Sequence, residues 1–215
     1  MAEFIRARSL EQKQLRINEI METTEKLFLE HTYHEITLTT IAEALHWSRG
    51  NLYKYVTTKE EIFLELYLRK QEKYFSEIEA AFTDKNPLST EAFAELWTNL
   101  LVENIDLLHY YSILTTIIET NVSQERLVEF KKKSNDDFEV INQILSKQCM
   151  LSEDHAAKLY FALLFHANGL NNVCSINPLV SEAMKIAGLP VLENNFAGDF
   201  YDFMMIFLRG YQSDN

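Results

Sequence analysis

Few residues of this 215-residue chain stand at spacings that reaction chemistry uses. Glu43-x-x-His46 has the carboxylate–imidazole spacing of a carboxylate-bridged di-iron bundle, but such a site needs the motif on two helices plus two further glutamates. The nearest second copy, Asp106-x-x-His109, carries the wrong carboxylate. His31-x-x-His34-Glu35 resembles a metal clip, yet no Cys or third ligand lies close to it. There is no nucleophile elbow, P-loop or dinucleotide-binding glycine turn. The sequence therefore predicts no enzyme, no metal and no cofactor. The chemistry that remains is recognition. From Trp47 through Thr58 there is no carboxylate, while Ser48, Arg49, Gly50, Asn51, Tyr53, Lys54 and Tyr55 offer donors, cations and aromatic rings, with Lys59 next. Such a surface suits the phosphate-lined major groove, where side chains at the start of a helix reach base edges.

Two short helices must hold that surface. Leu38, Ile41, Ala42 and Leu45 recur at helical spacing, and Thr37 or Thr39 can cap their start. Ser48 is a second cap signal, followed by a run from Arg49 to Val56. Leu52 and Val56, four apart, face inward, with Trp47 as the wedge between the helices. A turn of ~100° per residue puts Gly50, Asn51 and Lys54 on the opposite face, flanked by Arg49, Tyr53 and Tyr55. The whole is a helix-turn-helix. Thr37, Thr39 and Thr40, at the start of its first helix, join the candidate DNA contacts.

The stretch Ile41-Ala42-Glu43-Ala44, then Ser48-Arg49-Gly50-Asn51-Leu52-Tyr53-Lys54-Tyr55, then Lys59-Glu60, resembles the signature of the tetracycline-repressor (TetR) family. Leu27-Phe28 and Tyr33 fit that family's first helix and the turn after it. The close match covers roughly residues 15 to 63. Three positions depart from it. Leu45-His46-Trp47 stands where the family usually has Ala-Gly-Val, Val56 replaces the common Phe, and Thr32 replaces a frequent Gly. The glycine position needs a left-handed backbone, which His visits tolerably, so a slightly strained turn is expected at His46.

Bulk properties fit a helical regulator. Five glycines, three prolines and a near absence of alternating apolar patterns predict an all-α chain. Cys149 and Cys174 read as buried free thiols, and no apolar run of signal-peptide or membrane-spanning length occurs. A cytoplasmic protein with no membrane contact is expected. The net charge of −12 is unevenly spread: residues 1–59 hold eight Lys/Arg against eight Asp/Glu, residues 60–215 twelve against twenty-four. An acidic body would orient the encounter so that DNA meets the neutral end. The division expected is 1–59, a helix-turn-helix DNA-binding domain, and 60–215, a helical effector-binding and dimerisation domain.

In chain order, helices are expected over 10–31, with Leu15, Ile20, Leu27 and Phe28 inward, and from a Thr58–Glu61 capping box to Phe82. Asp84-Lys85-Asn86-Pro87 ends that helix. Others are expected from Ser89 to His109, a shorter one to Thr120, from Ser123 to Gln148, from Ser152 to Ser175 and from Phe196 to Tyr211. Residues 176–195 read as irregular or as one short helix. Lys131-Lys132-Lys133 is followed by Asp136, Asp137 and Glu139 and reads as a solvated face. Leu159–Phe165 and Phe203–Leu208 are apolar all round, which points to burial against a second copy as well as the core. Tyr160, Leu164, Ala167, Phe203, Ile206 and Phe207 are the candidate homodimer interface, where the TetR resemblance implies a four-helix bundle. The same resemblance implies an effector cavity among the middle helices. Trp97, His109, Tyr110, Thr116, Glu119, Tyr160, His166 and Asn168 are its candidate lining. The expected function is a TetR-like transcriptional regulator, a repressor released from a palindromic operator in double-stranded DNA by a small-molecule effector. A helical interaction protein answering to a protein partner, and a helical-bundle metalloenzyme, are the alternatives weighed against it.

Overall fold

The computed structural model describes residues 2–174, 178–190 and 195–213. Among them the chain forms ten α-helices and one π-helical turn, with no strand. In order these are α1 (Ala2–Glu30), α2 (Leu38–Ala44), α3 (Arg49–Leu52), α4 (Lys59–Phe82), α5 (Thr90–Glu103) and α6 (Asp106–Ile113), then the π turn Leu114–Ile118, α7 (Gln124–Cys149), α8 (Glu153–Cys174), α9 (Pro178–Ile186) and α10 (Phe196–Ser213). They divide into two compact units, Met1–Leu68 with Leu114–Phe130, and Arg69–Ile113 with Lys131–Asn215. The helices α4 and α7 each pass from one unit into the other.

The first unit is built on the α1–α2–α3 succession, in which α1 packs on α2 and α2 on α3. Ile20, Ile36, Ile41, Leu52 and Phe63 are among its fully buried side chains. The rings of Phe28 and Tyr33 meet Phe63 edge-on at 5.0 and 5.1 Å, so the first helix and the loop after it share one aromatic anchor on α4. Two expectations fail here. The helix α1 begins eight residues before the expected start at 10. Leu15 is 61 % exposed, because the buried stripe of α1 runs through Ile20, Met21 and Thr24. The helix α3 is also shorter than expected: past Leu52 the amides of Lys54 and Tyr55 bond three residues back, to Asn51 (3.3 Å) and Leu52 (2.9 Å), a tight 3₁₀-like exit.

In the second unit α10 packs on α5 and α8, and α6 packs on α8. Phe82, Phe93 and Trp97 form an aromatic knot with centroids 5.5–6.1 Å apart. The single helix expected from Ser89 to His109 is two, broken at Asn104. That side chain is buried; its amide donates to the Leu100 carbonyl (2.9 Å) and to Glu77 (2.5 Å), and its oxygen accepts from Lys73 (2.7 Å). Satisfying a buried amide in this way fixes the chain out of helical register and redirects it into α6. Helix α6 then runs into the π turn, closed by the Glu119 amide on the Leu114 carbonyl at 2.9 Å, five residues back. Pro178–Ile186 is the short helix allowed for within 176–195; Ser175, 176–177 and 191–194 lie outside the described residues.

The two late apolar helices each turn one face inward and one outward. Leu159, Tyr160, Leu163 and Ala167 of α8 and Phe200, Met204 and Leu208 of α10 are buried, whereas Phe161, Phe165 and Ile206 are 43, 60 and 76 % exposed. Tyr160 and Ala167 are thus buried within the chain's own core. Leu164, Phe203 and Phe207 are half-buried between the two faces.

Candidate nucleic-acid interface

The helix-turn-helix is assembled by hydroxyls. Thr37 Oγ1 accepts from the Thr40 amide (3.1 Å) while Thr40 Oγ1 accepts from the Thr37 amide (2.9 Å), a reciprocal cap on α2. Ser48 caps α3 in the same way, accepting from the Asn51 amide at 3.2 Å. The Arg49 guanidinium donates to the Thr39 hydroxyl, tying the starts of the two helices together. Between them His46 sits at φ 56°, the left-handed turn expected at that position.

This scaffold leaves a donor face open. Leu52 is wholly buried, while Gly50, Tyr53 and Lys54 are exposed and Asn51 and Tyr55 are half-buried. A Cβ built on Gly50 meets no atom within 4 Å, so the open surface there belongs to whatever approaches from outside. Among the described residues the side chains of Asn51 and Lys54 have no hydrogen-bond or ion-pair partner. Trp47 lies beside Tyr55 (5.8 Å between centroids) with the Arg16 guanidinium 5.4 Å over its indole, so the expected wedge is a half-exposed stack.

Lys59, expected to meet a phosphate, is partly spent inside the domain. Its ammonium donates to the carbonyls of Tyr33 and Ile36, both at 2.7 Å, and stands 3.8 Å over the Tyr33 ring. Burial lowers its pKa and the neighbouring Glu60 opposes that. One N–H is left for an outside acceptor. Tyr33 in turn donates to Glu60 at 2.5 Å; burial first, then that hydrogen bond, raises its pKa well above the ordinary value. The cap on α4 is also modified: Thr58 accepts from the Glu61 amide (3.2 Å), but the Glu61 carboxylate reaches back to the amide of Thr57 (2.9 Å), one residue beyond the expected box.

The chain matches two family patterns. "Bacterial regulatory proteins, tetR family" covers residues 20–66, and "Tetracyclin repressor-like, C-terminal domain" covers residues 68–215. The chain belongs to the TetR family. As a TetR-family protein it is a DNA-binding transcriptional regulator, and a family of this kind is generally non-enzymatic. Two solved structures share the fold. A TetR/AcrR-family transcriptional regulator from Thermobifida fusca YX-ER1 aligns with a TM-score of 0.55 at 18 % identity, over 90 % of this chain and 96 % of that one. The fatty acid degradation regulator FadR from Bacillus halodurans aligns with a TM-score of 0.51 at 16 % identity, over 88 and 94 %. No curated protein matches the chain.

The TetR-family body contains a small, partly open cavity of about 20 Å³ within the second unit. Tyr74, Trp97, Leu107, Tyr160, Leu163 and Phe200 are among its lining. Of the eight residues expected there, Trp97 and Tyr160 are present. His109 and Thr116 are exposed, and Thr116 and Glu119 fall in the first unit. Tyr110 is buried but not at the cavity. His166 stacks face to face on Phe203 at 3.7 Å; burial lowers its pKa and Asp199 opposes that. The Asn168 side-chain oxygen is buried with no hydrogen-bond partner in the chain. Tyr74 and Phe200 carried no signal in the sequence, since a cavity-facing apolar residue looks like any other core residue. Among the described residues no group of three or more His, Cys, Asp or Glu comes together as a metal site would need, and no helix is long and apolar enough to cross a membrane.

Proposed function

We propose that this regulator is a homodimeric repressor whose reading heads, residues 1–59, bind a near-palindromic operator and are released by an apolar small molecule bound within residues 60–215. The observation that carries the DNA contacts is the open donor face of Ser48–Tyr55: Asn51 and Lys54 have no partner among the described residues, the stretch from Trp47 through Thr58 holds no carboxylate, and α2 and α3 are both capped at their starts. Asn51 and Lys54 read bases, while Thr37, Thr39, Thr40, Ser48, Arg49, Gly50, Tyr53, Tyr55 and the remaining N–H of Lys59 hold backbone phosphates or shape the approach. The second copy meets the outward face of α8 and α10, through Phe161, Phe165 and Ile206 with the half-buried Phe203 and Phe207. A single short recognition helix needs a second half-site, and two-fold heads ~34–36 Å apart supply it.

The cavity sets the effector's class. Its lining holds no carboxylate and no cation, only rings, aliphatic side chains and the hydroxyls of Tyr74 and Tyr160, so it favours an uncharged, largely apolar molecule. At 20 Å³ it has room for little more than a water molecule. An effector must therefore open it. That expansion would favour a dimer whose heads no longer match the operator, and operator affinity would fall by the effector's differential affinity for the two states. Fluorescence anisotropy with DNA from the protein's own upstream region tests the reading. Tight, salt-dependent binding that loses base preference in Asn51→Ala is expected; equal binding to every duplex by both proteins would refute it.

A further inference from the structure

Beside the reading helix, and wholly within the first unit, lies an open groove of about 660 Å³ between α1 and the exit of α3. Gln12, Lys13, Arg16, Glu19, Lys54 and Tyr55 line it. Three of these are cations and one is an anion. The anion is already committed, for Glu19 accepts from Arg16 at 2.6 Å. The Arg16 guanidinium is further held over the Trp47 indole, and Trp47 against Tyr55, so the cation is fixed in place. Lys13 and Lys54 are exposed, and neither ammonium has an acceptor among the described residues.

We infer that this groove is a second phosphate track, which holds the DNA backbone beyond the segment that Asn51 and Lys54 read. The inference rests on the DNA-binding reading above. With the Arg16 charge matched by Glu19, the ammonium groups of Lys13 and Lys54 leave this concave surface with a net positive charge that an entering anion would neutralise. Gln12 and the Tyr55 hydroxyl add neutral donors of the kind that phosphate oxygens accept. Lys54 belongs both to the groove and to the reading face, so the two surfaces are continuous. A duplex whose bases meet Asn51 carries its backbone straight on to α1. The anion is therefore polymeric: the track adds affinity without adding sequence preference.

The test measures anisotropy of labelled operator and of a random duplex between 50 and 200 mM salt, for wild type, Lys13→Gln and Lys13→Gln/Arg16→Gln. Lys13 is exposed and makes no hydrogen bond or ion pair among the described residues, so the single variant leaves the fold intact even if removing Arg16 disturbs Trp47. Each lost contact lowers the log–log salt slope by ~0.9, so the loss of affinity across that range shrinks roughly threefold per cation. The decrease is expected to be the same on both duplexes, with the operator-to-random ratio unchanged. A slope unaltered in Lys13→Gln, while Lys54→Gln and Asn51→Ala weaken binding, overturns the track and leaves the reading face standing. Inorganic tripolyphosphate, titrated without DNA, separates the other source of phosphate: binding that Lys13→Gln abolishes, beside an unaltered DNA slope, also overturns it. Wild-type protein that binds no duplex at any salt would instead reject the DNA contacts on which the inference rests.

Discussion

At the scale of single residues, His46 and Lys59 carry the clearest consequences. Left-handed backbone at His46 costs of order 1 kcal/mol relative to glycine, but glycine also loosens the unfolded chain by a similar ~0.4–1 kcal/mol. The two effects oppose, so His46→Gly is expected to leave stability within about half a kcal/mol, whereas β-branched His46→Val loses more than ~1 kcal/mol. Urea denaturation of both variants decides it; equal losses would show that backbone strain is not what the position selects. Met150, at φ 54°, makes the same turn after α7 and gave no sign in the sequence, because methionine is not a residue that such turns prefer. Lys59→Ala removes the donor from two carbonyls, and a loss of ~1–3 kcal/mol is expected beside weaker DNA binding. Tyr53→Phe removes only an exposed hydroxyl, so it is expected to weaken DNA binding and leave the melting temperature unchanged. If both variants melted like wild type, the ammonium's internal bonds would contribute nothing. Trp47→Val is expected to cost less than the ~2–4 kcal/mol of a core cavity, since the indole is half-exposed between Arg16 and Tyr55.

At the scale of elements, the helix starts that carry a local cap were legible in the sequence, whereas the starts of α1 and α6 and several ends were not. Thr37, Ser48, Ser89, Ser123 and Ser152 each begin a helix with a local side-chain cap, and a local cap is written in adjacent residues. The break at Asn104 depends on Lys73 and Glu77, some thirty residues away, which no periodicity reveals. Asn104→Leu is therefore expected to remove the amide that bridges Lys73 and Glu77, leaving them only their 3.4 Å ion pair, and to destabilise the chain by ~1 kcal/mol, although leucine is the better helix former. Loss of helical signal on urea titration measures this; a more stable variant would mean that propensity, not the buried amide, governs the joint. The open donor face was legible because polar residues at helical spacing mark a solvent side. The groove beside it was not. The expected helix start at residue 10 and an inward Leu15 hid the cations of α1, although Arg6, Arg8, Lys13 and Arg16 were there to be counted.

At the scale of the whole molecule, charge and pH act on assembly and stability. Phe165→Glu puts a carboxylate on the outward face of α8, where it is tolerated in a lone protomer and costly when buried unpaired. A folded, helical monomer that has lost operator affinity is expected, read by light scattering and circular dichroism. A variant that stays dimeric would move the interface elsewhere. The pH dependence has a definite sign. Burial against Phe203 holds His166 below its ordinary value of 6.5, so between the lowered value and 6.5 the unfolded chain binds more protons than the folded one. Stability therefore rises with pH through that window and is lost as the solution is acidified through it. Thermal melts from pH 8 to 5 are expected to fall in this way for wild type and to flatten in His166→Asn; an unchanged slope would place the titration on another group.

The two tryptophans are divided one to each compact unit, and that division makes the protein its own optical instrument. Trp97 is 2 % exposed in a dry aromatic lining, so it emits toward the blue and is shielded from iodide. Trp47 is half-exposed under a guanidinium, emits toward the red, and stands beside the residues proposed to meet DNA. Operator binding should therefore register in the long-wavelength, quenchable part of the spectrum and cavity opening in the short-wavelength part. With Trp47→Phe, the remaining emission would follow the cavity alone while unlabelled DNA is bound or released, reporting both halves of the response from one sample.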